Sequence, residues 1–263
     1  MSSLKGSYQQ VDGAQAVTES NRLQQQLQAL WALEKTGLDQ IGFPPRVAKM
    51  LEVGCGNGAV LSQVRRDFSP GFAVGIDLEL EHLLRAKTTA VVARADGGVL
   101  PFRDATFDLV MFRYVLRHVP GPQRLLLEAT RVLKPGGRLL ALDSDDGGLL
   151  FDPPPPSWPA LSNALDVSVR RRGGNPHMGR TLHRQLCEAG LANVVTSAQM
   201  ITSSQVPPPV FVELLLAPQA RPVDADLLEP AAAQQAWNEL RQWAKQSQAF
   251  CCALGMFAGG TKR

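Results

Sequence analysis

The sequence predicts an α/β fold, a doubly wound and mostly parallel sheet with helices on both faces. Between Arg46 and Leu142, apolar strands alternate with helical segments of about ten to fifteen residues, the rhythm of parallel strands joined by crossover helices. The first of these strands, in Met50–Gly58 (MLEVGCGNG), runs into a glycine-dense turn, with Glu52 just before the first glycine. There Gly54, Gly56 and Gly58 alternate with Cys55 and Asn57, so the backbone turns tightly and a ligand can approach where a Cβ would clash. The helix that follows, carrying Ala59, Val60, Leu61 and Val64, aims the free N–H groups of its first turn at the same spot. The turn reads as a nucleotide-type cofactor site. Ligands of such sheets bind beyond the carboxyl ends of the strands, and Gly54, Asp77, Asp96 and Arg113 each follow a strand. All four are expected on that one edge.

The elements follow in order. Residues 1–18 are polar and expected to be loose. From Glu19 to Lys35, Leu23, Leu27, Leu30 and Trp31 recur at helical spacing, with Gly37 as the stop. Gly42-Phe-Pro-Pro45 punctuates the chain before the first strand. Further strands are expected at Phe72–Ile76, ending in Asp77-Leu78, at Val91–Arg94, ending in Ala95-Asp96, and at Phe107–Phe112 and Arg138–Leu142. After Asp143 the pattern changes, and Asp145–Gly148 and Pro153–Pro156 read as a break too rich in proline and glycine for regular structure. Leu161–Arg172 and Thr181–Ala189 read as helices, the second stopped by Gly190 in a left-handed conformation. Val194–Met200 reads as a sixth strand. Pro207–Pro209 introduces a short apolar helix, Leu227–Gln248 forms a longer one, and Phe250–Phe257 is a last buried strand.

Composition narrows the class. The 263 residues suit one α/β domain with additions, and 44% apolar residues can build a full core. A net charge of +3 with no long lysine–arginine run disfavours a nucleic-acid substrate. The densest basic cluster, Arg170-Arg171-Arg172, reads as a solvated helix face. Cys55, Cys187, Cys251 and Cys252 have neither metal nor disulfide spacing. No apolar run reaches membrane-spanning length, and Glu213 interrupts the longest candidate, Val210–Ala217. A cytoplasmic protein without membrane or nucleic-acid partner is expected.

Taken alone, Gly54-x-Gly56-x-x-Ala59 also satisfies the looser dinucleotide fingerprint, with Asp77 about 20 residues on, where a ribose-binding carboxylate belongs. On that pattern a nicotinamide-dependent oxidoreductase stays open. The wider series runs Glu52-x-Gly54-x-Gly56-x-Gly58, Asp77-Leu78, Ala95-Asp96, Leu100-Pro-Phe102, Phe107-Asp-Leu-Val110, Leu116-Arg-His-Val119 and Leu133-Lys-Pro-Gly-Gly137. In that order it resembles the class I S-adenosylmethionine (SAM)-dependent methyltransferases, in the small-molecule branch similar to ubiquinone/menaquinone-biosynthesis enzymes. The resemblance is strong over residues 46–145, and a nicotinamide enzyme is not expected to carry the last element. It implies a Rossmann-like, seven-stranded sheet whose last strand is antiparallel, with helical cap additions. It also implies three regions: an N-terminal helical lid (1–45), a SAM-binding core (46–148), and a segment (149–263) supplying cap helices and the last two strands.

The resemblance implies tasks for the site residues. Gly54, Cys55, Gly56 and Gly58 would cradle SAM, with S-adenosylhomocysteine (SAH) as product. Glu52 would lie at the cationic amino-acid end, Asp77 would accept both ribose hydroxyls, Leu78 would pack on adenine, and Ala95-Asp96 would meet the adenine edge, Asp96 accepting from N6. Arg113 would turn its backbone to the methionine moiety and its side chain to an anionic substrate or to solvent. His118 is the candidate for orienting the acceptor or taking its proton, since histidine titrates near neutral pH. Asp146, leaving the fifth strand with Asp143 and Asp145, is a second catalytic candidate. Tyr114 and His177 are expected at the substrate, and His183 on a helix surface. No metal site is expected. The function expected is methyl transfer to O, N or C of a small, partly hydrophobic metabolite in biosynthetic or secondary metabolism. A SAM-binding scaffold or cyclase that does not methylate is the alternative.

Overall fold

The computed structural model describes residues 13–84, 91–216 and 223–263. The expectation for residues 1–12 lies outside the described residues, whereas 13–18 are helical rather than loose. Helix α1 spans Gly13–Gln40, and the core follows as β1 (Lys49–Val53), α2 (Ala59–Phe68), β2 (Phe72–Asp77), α3 (Leu80–Leu84), β3 (Val91–Arg94), β4 (Phe107–Arg113), α4 (Gln123–Val132) and β5 (Leu133–Asp152). A 3-10 turn, Leu116–His118, sits between β4 and α4. The remainder comprises α5 (Trp158–Arg171), α6 (Met178–Glu188), β6 (Leu191–Thr202), α7 (Pro208–Phe211), a π turn (Val212–Leu216), α8 (Pro230–Trp243) and β7 (Phe250–Lys262).

The seven strands form one sheet in the order β3-β2-β1-β4-β5-β7-β6. β1, β2, β3, β4 and β5 pair in parallel, while β7 runs antiparallel between β5 and β6. The order reverses beside β1, so the ends of β1 and β4 open the crevice in which such sheets bind ligands.

Strand periodicity sends alternate residues to opposite faces. Leu51, Val53, Val110 and Phe112 pack with α4 and α6, while Met50, Leu109 and Met111 pack with α1 and α2. A third cluster joins α5, α7, α8 and β7, where Leu161, Phe211, Trp237, Leu240 and Trp243 pack with Cys251, and Leu30 of α1 joins them. Helix α1 thus buries residues in two of the three clusters.

Three sequence expectations need correction. Gly37 does not stop the first helix, which runs on to Gln40; a Cβ at Gly37 would lie 2.5 Å from the Phe257 ring, so close helix–sheet packing accounts for it. Asp145–Gly148 does not end the fifth strand. Pairing with β7 carries β5 on to Asp152, with a register shift between Asp145 and Leu150 absorbing the irregular segment. The last helix is shorter than Leu227–Gln248: it starts at Pro230, where the Glu229 carboxylate accepts the Ala232 N–H at 3.1 Å, and ends at Trp243.

Candidate active site

The glycine turn sits at the end of β1, held from β2. The Gly54 and Cys55 N–H groups both donate to the Ile76 carbonyl, at 2.8 and 2.9 Å. Asp77 closes the turn: one oxygen accepts the Gly56 N–H at 2.7 Å and the other the Glu79 N–H at 2.9 Å, leaving lone pairs on both for a ligand. Gly54 has φ +75°, and a Cβ there would lie 2.3 Å from Val115 Cγ2, so the turn packs directly on the loop after β4. Gly54→Ala is therefore expected to cost at least about 2 kcal/mol, from positive φ plus overpacking. A melting temperature within a degree of the parent would show that neither constraint acts.

A cavity of about 330 Å³ opens on this turn. Glu52, Gly54, Cys55, Gly56, Asp77, Leu78, Ala95, Asp96, Arg113, Tyr114, His118 and Asp146 all lie on its wall. Gly58 does not; it caps the N-terminus of α2 with φ +69°. Asp96 is half-exposed 3.8 Å from Arg124, and its carboxylate accepts the Gly98 N–H. Burial pushes the Cys55 thiol up, so it stays protonated and serves as packing. Glu52 is 2% exposed, and burial raises its carboxyl to about 8 although Arg113 lies nearby. Its Oε2 has no hydrogen-bond partner among the described residues. A buried carboxyl oxygen lacking a partner on a cavity wall fits a ligand that brings a cationic donor, and SAM carries one at its amino-acid end.

Helix α1 roofs the cavity through Glu19, Arg22, Leu23 and Gln26. The Asn57 side-chain amide donates to the Ser20 carbonyl and hydroxyl, at 3.0 and 2.9 Å. Arg22 donates to the Leu214 carbonyl on the π turn at 3.0 Å. Deeper in, Glu34 accepts two bonds from Arg113, both 2.8 Å, with 3% and 8% of the two side chains exposed. Arg113 thus faces neither solvent nor substrate, contrary to expectation, because a buried guanidinium must be paired. It lies 4.8 Å over the Tyr114 ring, and Tyr114 takes φ +54°. Burial, then Glu34, lifts the Tyr114 phenol well above its usual range, so it stays protonated. Glu34→Gln, which weakens the pairing of a buried guanidinium, is expected to destabilise the chain by about 3 kcal/mol in urea melts. Glu34→Leu with Arg113→Met should recover most of that loss.

The acidic run within β5 is engaged internally. Asp143 is buried and accepts the N–H groups of Arg117 and Ser144, both at 3.0 Å, and burial lifts it to about 7. Asp145 binds the Arg180 guanidinium at 2.6 and 2.7 Å. Asp146, a catalytic candidate from the sequence, has both oxygens on the Arg117 guanidinium, at 3.2 and 2.8 Å. His177 is absent from the cavity wall, against expectation. It lies between Asp145, 3.3 Å from Nδ1, and Asp166, 3.4 Å from Nε2. His183 is exposed on α6. Among the described residues, no group of three His, Cys, Asp or Glu side chains is placed to hold a metal ion. No helix among them is long and apolar enough to cross a membrane. Sequence reasoning missed Glu34 and Arg117, whose ion-pair partners lie far along the chain, and Arg22, which reaches the Leu214 carbonyl as well as neighbouring Glu19.

A parallel sheet of this order with one antiparallel strand, a glycine turn closed by a carboxylate, and a roofed cavity at the crevice define the class I methyltransferase architecture. The family model for a methyltransferase domain matches residues 51–141. The chain is 34% identical over 204 residues to an uncharacterized 37.1 kDa protein of transposon TN4556 from Streptomyces fradiae, covering 71% of this chain and 55% of that protein. Against the ubiquinone/menaquinone biosynthesis C-methyltransferase UbiE of Desulfotalea psychrophila it is 34% identical over 105 residues, 38% of this chain and 43% of the relative. The chain thus spans about half the length of these curated relatives. The structure of Haemonchus contortus phosphoethanolamine N-methyltransferase 2 in complex with SAM matches with a TM-score of 0.56 at 20% identity, over 89% of this chain and 53% of that one. Residues 51–141 thus match a methyltransferase domain and resemble relatives of the ubiquinone/menaquinone type, which supports SAM as the cofactor.

Proposed function

We propose that the chain moves a methyl group from SAM to O, N or C of a small, partly apolar metabolite in biosynthetic or secondary metabolism. One observation carries the reading. The cavity lined by Glu52, Asp77 and Asp96 is lined also by the apolar side chains of Leu149, Val169, Ile201 and Leu214. SAM supplies an activated methyl group: the S–CH₃ bond breaks as the acceptor atom bonds to the methyl, and SAH and the acceptor's proton leave. The residues then have mainly to align the two partners. Glu52 receives the ammonium, Asp77 the ribose hydroxyls, and Leu78, Ala95 and Asp96 the adenine, with the backbone after β4 against the methionine chain. Tyr114 and His118 lie on the wall beside the loop that packs on Gly54, where the acceptor meets the methyl, and His118 is the candidate to take a proton.

A small acceptor agrees with the surface. Arg170, Arg171 and Arg172, the densest basic cluster, have their charges offset by Asp166, Asp226 and Asp224 respectively. The test is incubation with methyl-labelled SAM and separate pools of small metabolites, RNA and protein, scored by mass spectrometry for label and SAH. Label in a small molecule is expected. Label confined to RNA or protein would reject the substrate class, and SAM bound but intact in every pool would favour a non-methylating binder of the same fold.

A further inference from the structure

The cavity wall contains a buried cation whose bonding is incomplete. Arg117, on the 3-10 turn after β4, lines the cavity with 6% of its side chain exposed. One terminal nitrogen donates to the Ser144 hydroxyl and to Asp146 at 3.2 Å, and the other donates to Asp146 at 2.8 Å. Its Nε–H, also buried, has no partner among the described residues. Burial opposes the charge, but Asp146 and Asp143 outweigh it and keep the guanidinium cationic. A charged donor left unbonded inside a protein costs on the order of 1–3 kcal/mol, so an orphan on a cavity wall marks a place where a ligand atom belongs.

The surroundings define that atom. It must be a hydrogen-bond acceptor, because a guanidinium only donates. It need not be anionic: Asp146 already offsets the positive charge, and the Asp143 carboxyl lies behind it on the Arg117 backbone N–H. A carboxylate or phosphate would meet those acidic groups with no surplus cation. The other arginines on the wall hold acidic partners of their own, Arg22 with Glu19 at 2.7 Å and Arg172 with Asp224 at 3.0 Å. Apolar side chains share the wall with these charged groups, among them Leu149, Val169, Ile201, Leu214 and Leu254.

We infer that the acceptor substrate is an apolar compound bearing a carbonyl oxygen, and that this oxygen accepts the Arg117 Nε–H. The inference rests on the cofactor reading above. Arg117 is then a positioning residue for the acceptor. By fixing one oxygen of an otherwise apolar molecule, it selects which neighbouring atom faces the methyl group, a role the apolar wall cannot fill because hydrophobic contact has no direction.

The test uses the full chain saturated with SAH and two probes of equal shape, 2-acetonaphthone and 2-isopropenylnaphthalene, which differ only in C=O against C=CH₂. Without a bond to the oxygen, the alkene binds more tightly, since burying a carbonyl then costs free energy. The expected result is that the wild-type chain binds the ketone at least as tightly as the alkene. In Asp146→Asn the preference should remain. In the double variant Arg117→Met with Asp146→Asn, which removes the charge pair together, the ratio should move about tenfold toward the alkene. The bound ketone's C=O stretch should lie below its position in cyclohexane for the wild type and return toward it in the double variant. An alkene that binds more tightly to the wild type, a ketone preference that survives the double variant, an unshifted C=O stretch, or no binding of either probe would each overturn the inference. Should the double variant fail to bind SAH, the wild-type ratio and stretch decide alone. Failure of the wild type to bind SAH would reject the cofactor reading itself, and this inference with it.

Discussion

Replacing Asp77 with alanine is expected to weaken SAM binding at least about 100-fold. A carboxylate accepting both ribose hydroxyls makes two charge-assisted hydrogen bonds, each worth roughly 1.5–3 kcal/mol, and alanine makes neither. The structure adds a second loss. Asp77 also holds the N–H groups of Gly56 and Glu79, so the alanine variant releases the glycine turn that the cofactor must find in place. Asp77→Asn separates the two effects, since its one carbonyl oxygen can keep one of those bonds. An intermediate affinity is expected for asparagine. Titration calorimetry with SAM, beside a melt to show that the fold is kept, reads both variants. Unchanged affinity in Asp77→Ala would reject the ribose assignment.

The second large effect belongs to Glu52, and its sign is opposite for stability and for binding. Burial raises the folded-state pKa of Glu52 from its ordinary 4.5 to about 8. Between those values the folded chain holds a proton that the unfolded chain has released. The stability this supplies is therefore complete below about 4.5 and is lost as pH rises toward 8. Glu52→Gln carries no charge at any pH and keeps the shape. The cofactor-free variant should match the parent near pH 5 and exceed it at pH 8, by on the order of a few kcal/mol at roughly 1.4 kcal/mol per pKa unit. A residual slope should remain in the variant, because buried Asp143, lifted to about 7, contributes in the same direction. SAM binding should move the other way. An ionised Glu52 facing the cofactor's ammonium gains a partner that glutamine cannot replace, so the variant should lose about tenfold or more in affinity at pH 8. Urea melts at the two pH values and SAM titrations check both. Equal pH slopes in variant and parent would show that Glu52 does not titrate as described.

Both predictions concern residues identifiable in the chain before folding, and the reason is local. Glu52 and Asp77 stand at the ends of apolar strands, beside a turn whose glycines announce it. The alternation of Leu51 and Val53 against Met50, and of Val110 and Phe112 against Leu109 and Met111, likewise predicts which face each strand residue covers. Strand position, turn chemistry and the strand–helix rhythm depend on residues a few positions apart, so they determine the parallel core, its crevice and the cofactor edge. The engaged side chains are a different matter. Glu34 and Arg113 are separated by 79 positions, and Arg117 and Asp146 by 29. No periodicity links them; each pair forms because packing excludes water from both members at once. His177 reads as a pocket residue in sequence, yet its ring lies off the cavity wall, against Asp145 of β5. β5 crosses Asp145–Gly148, which looks like a break, because β7, about a hundred residues later, supplies the missing hydrogen bonds. The sequence by itself thus determined the parallel core and the glycine turn at its crevice. Only the tertiary structure decided which charges around the acceptor are already paired and which donor still lacks a partner, because burial and pairing are properties of the assembled chain.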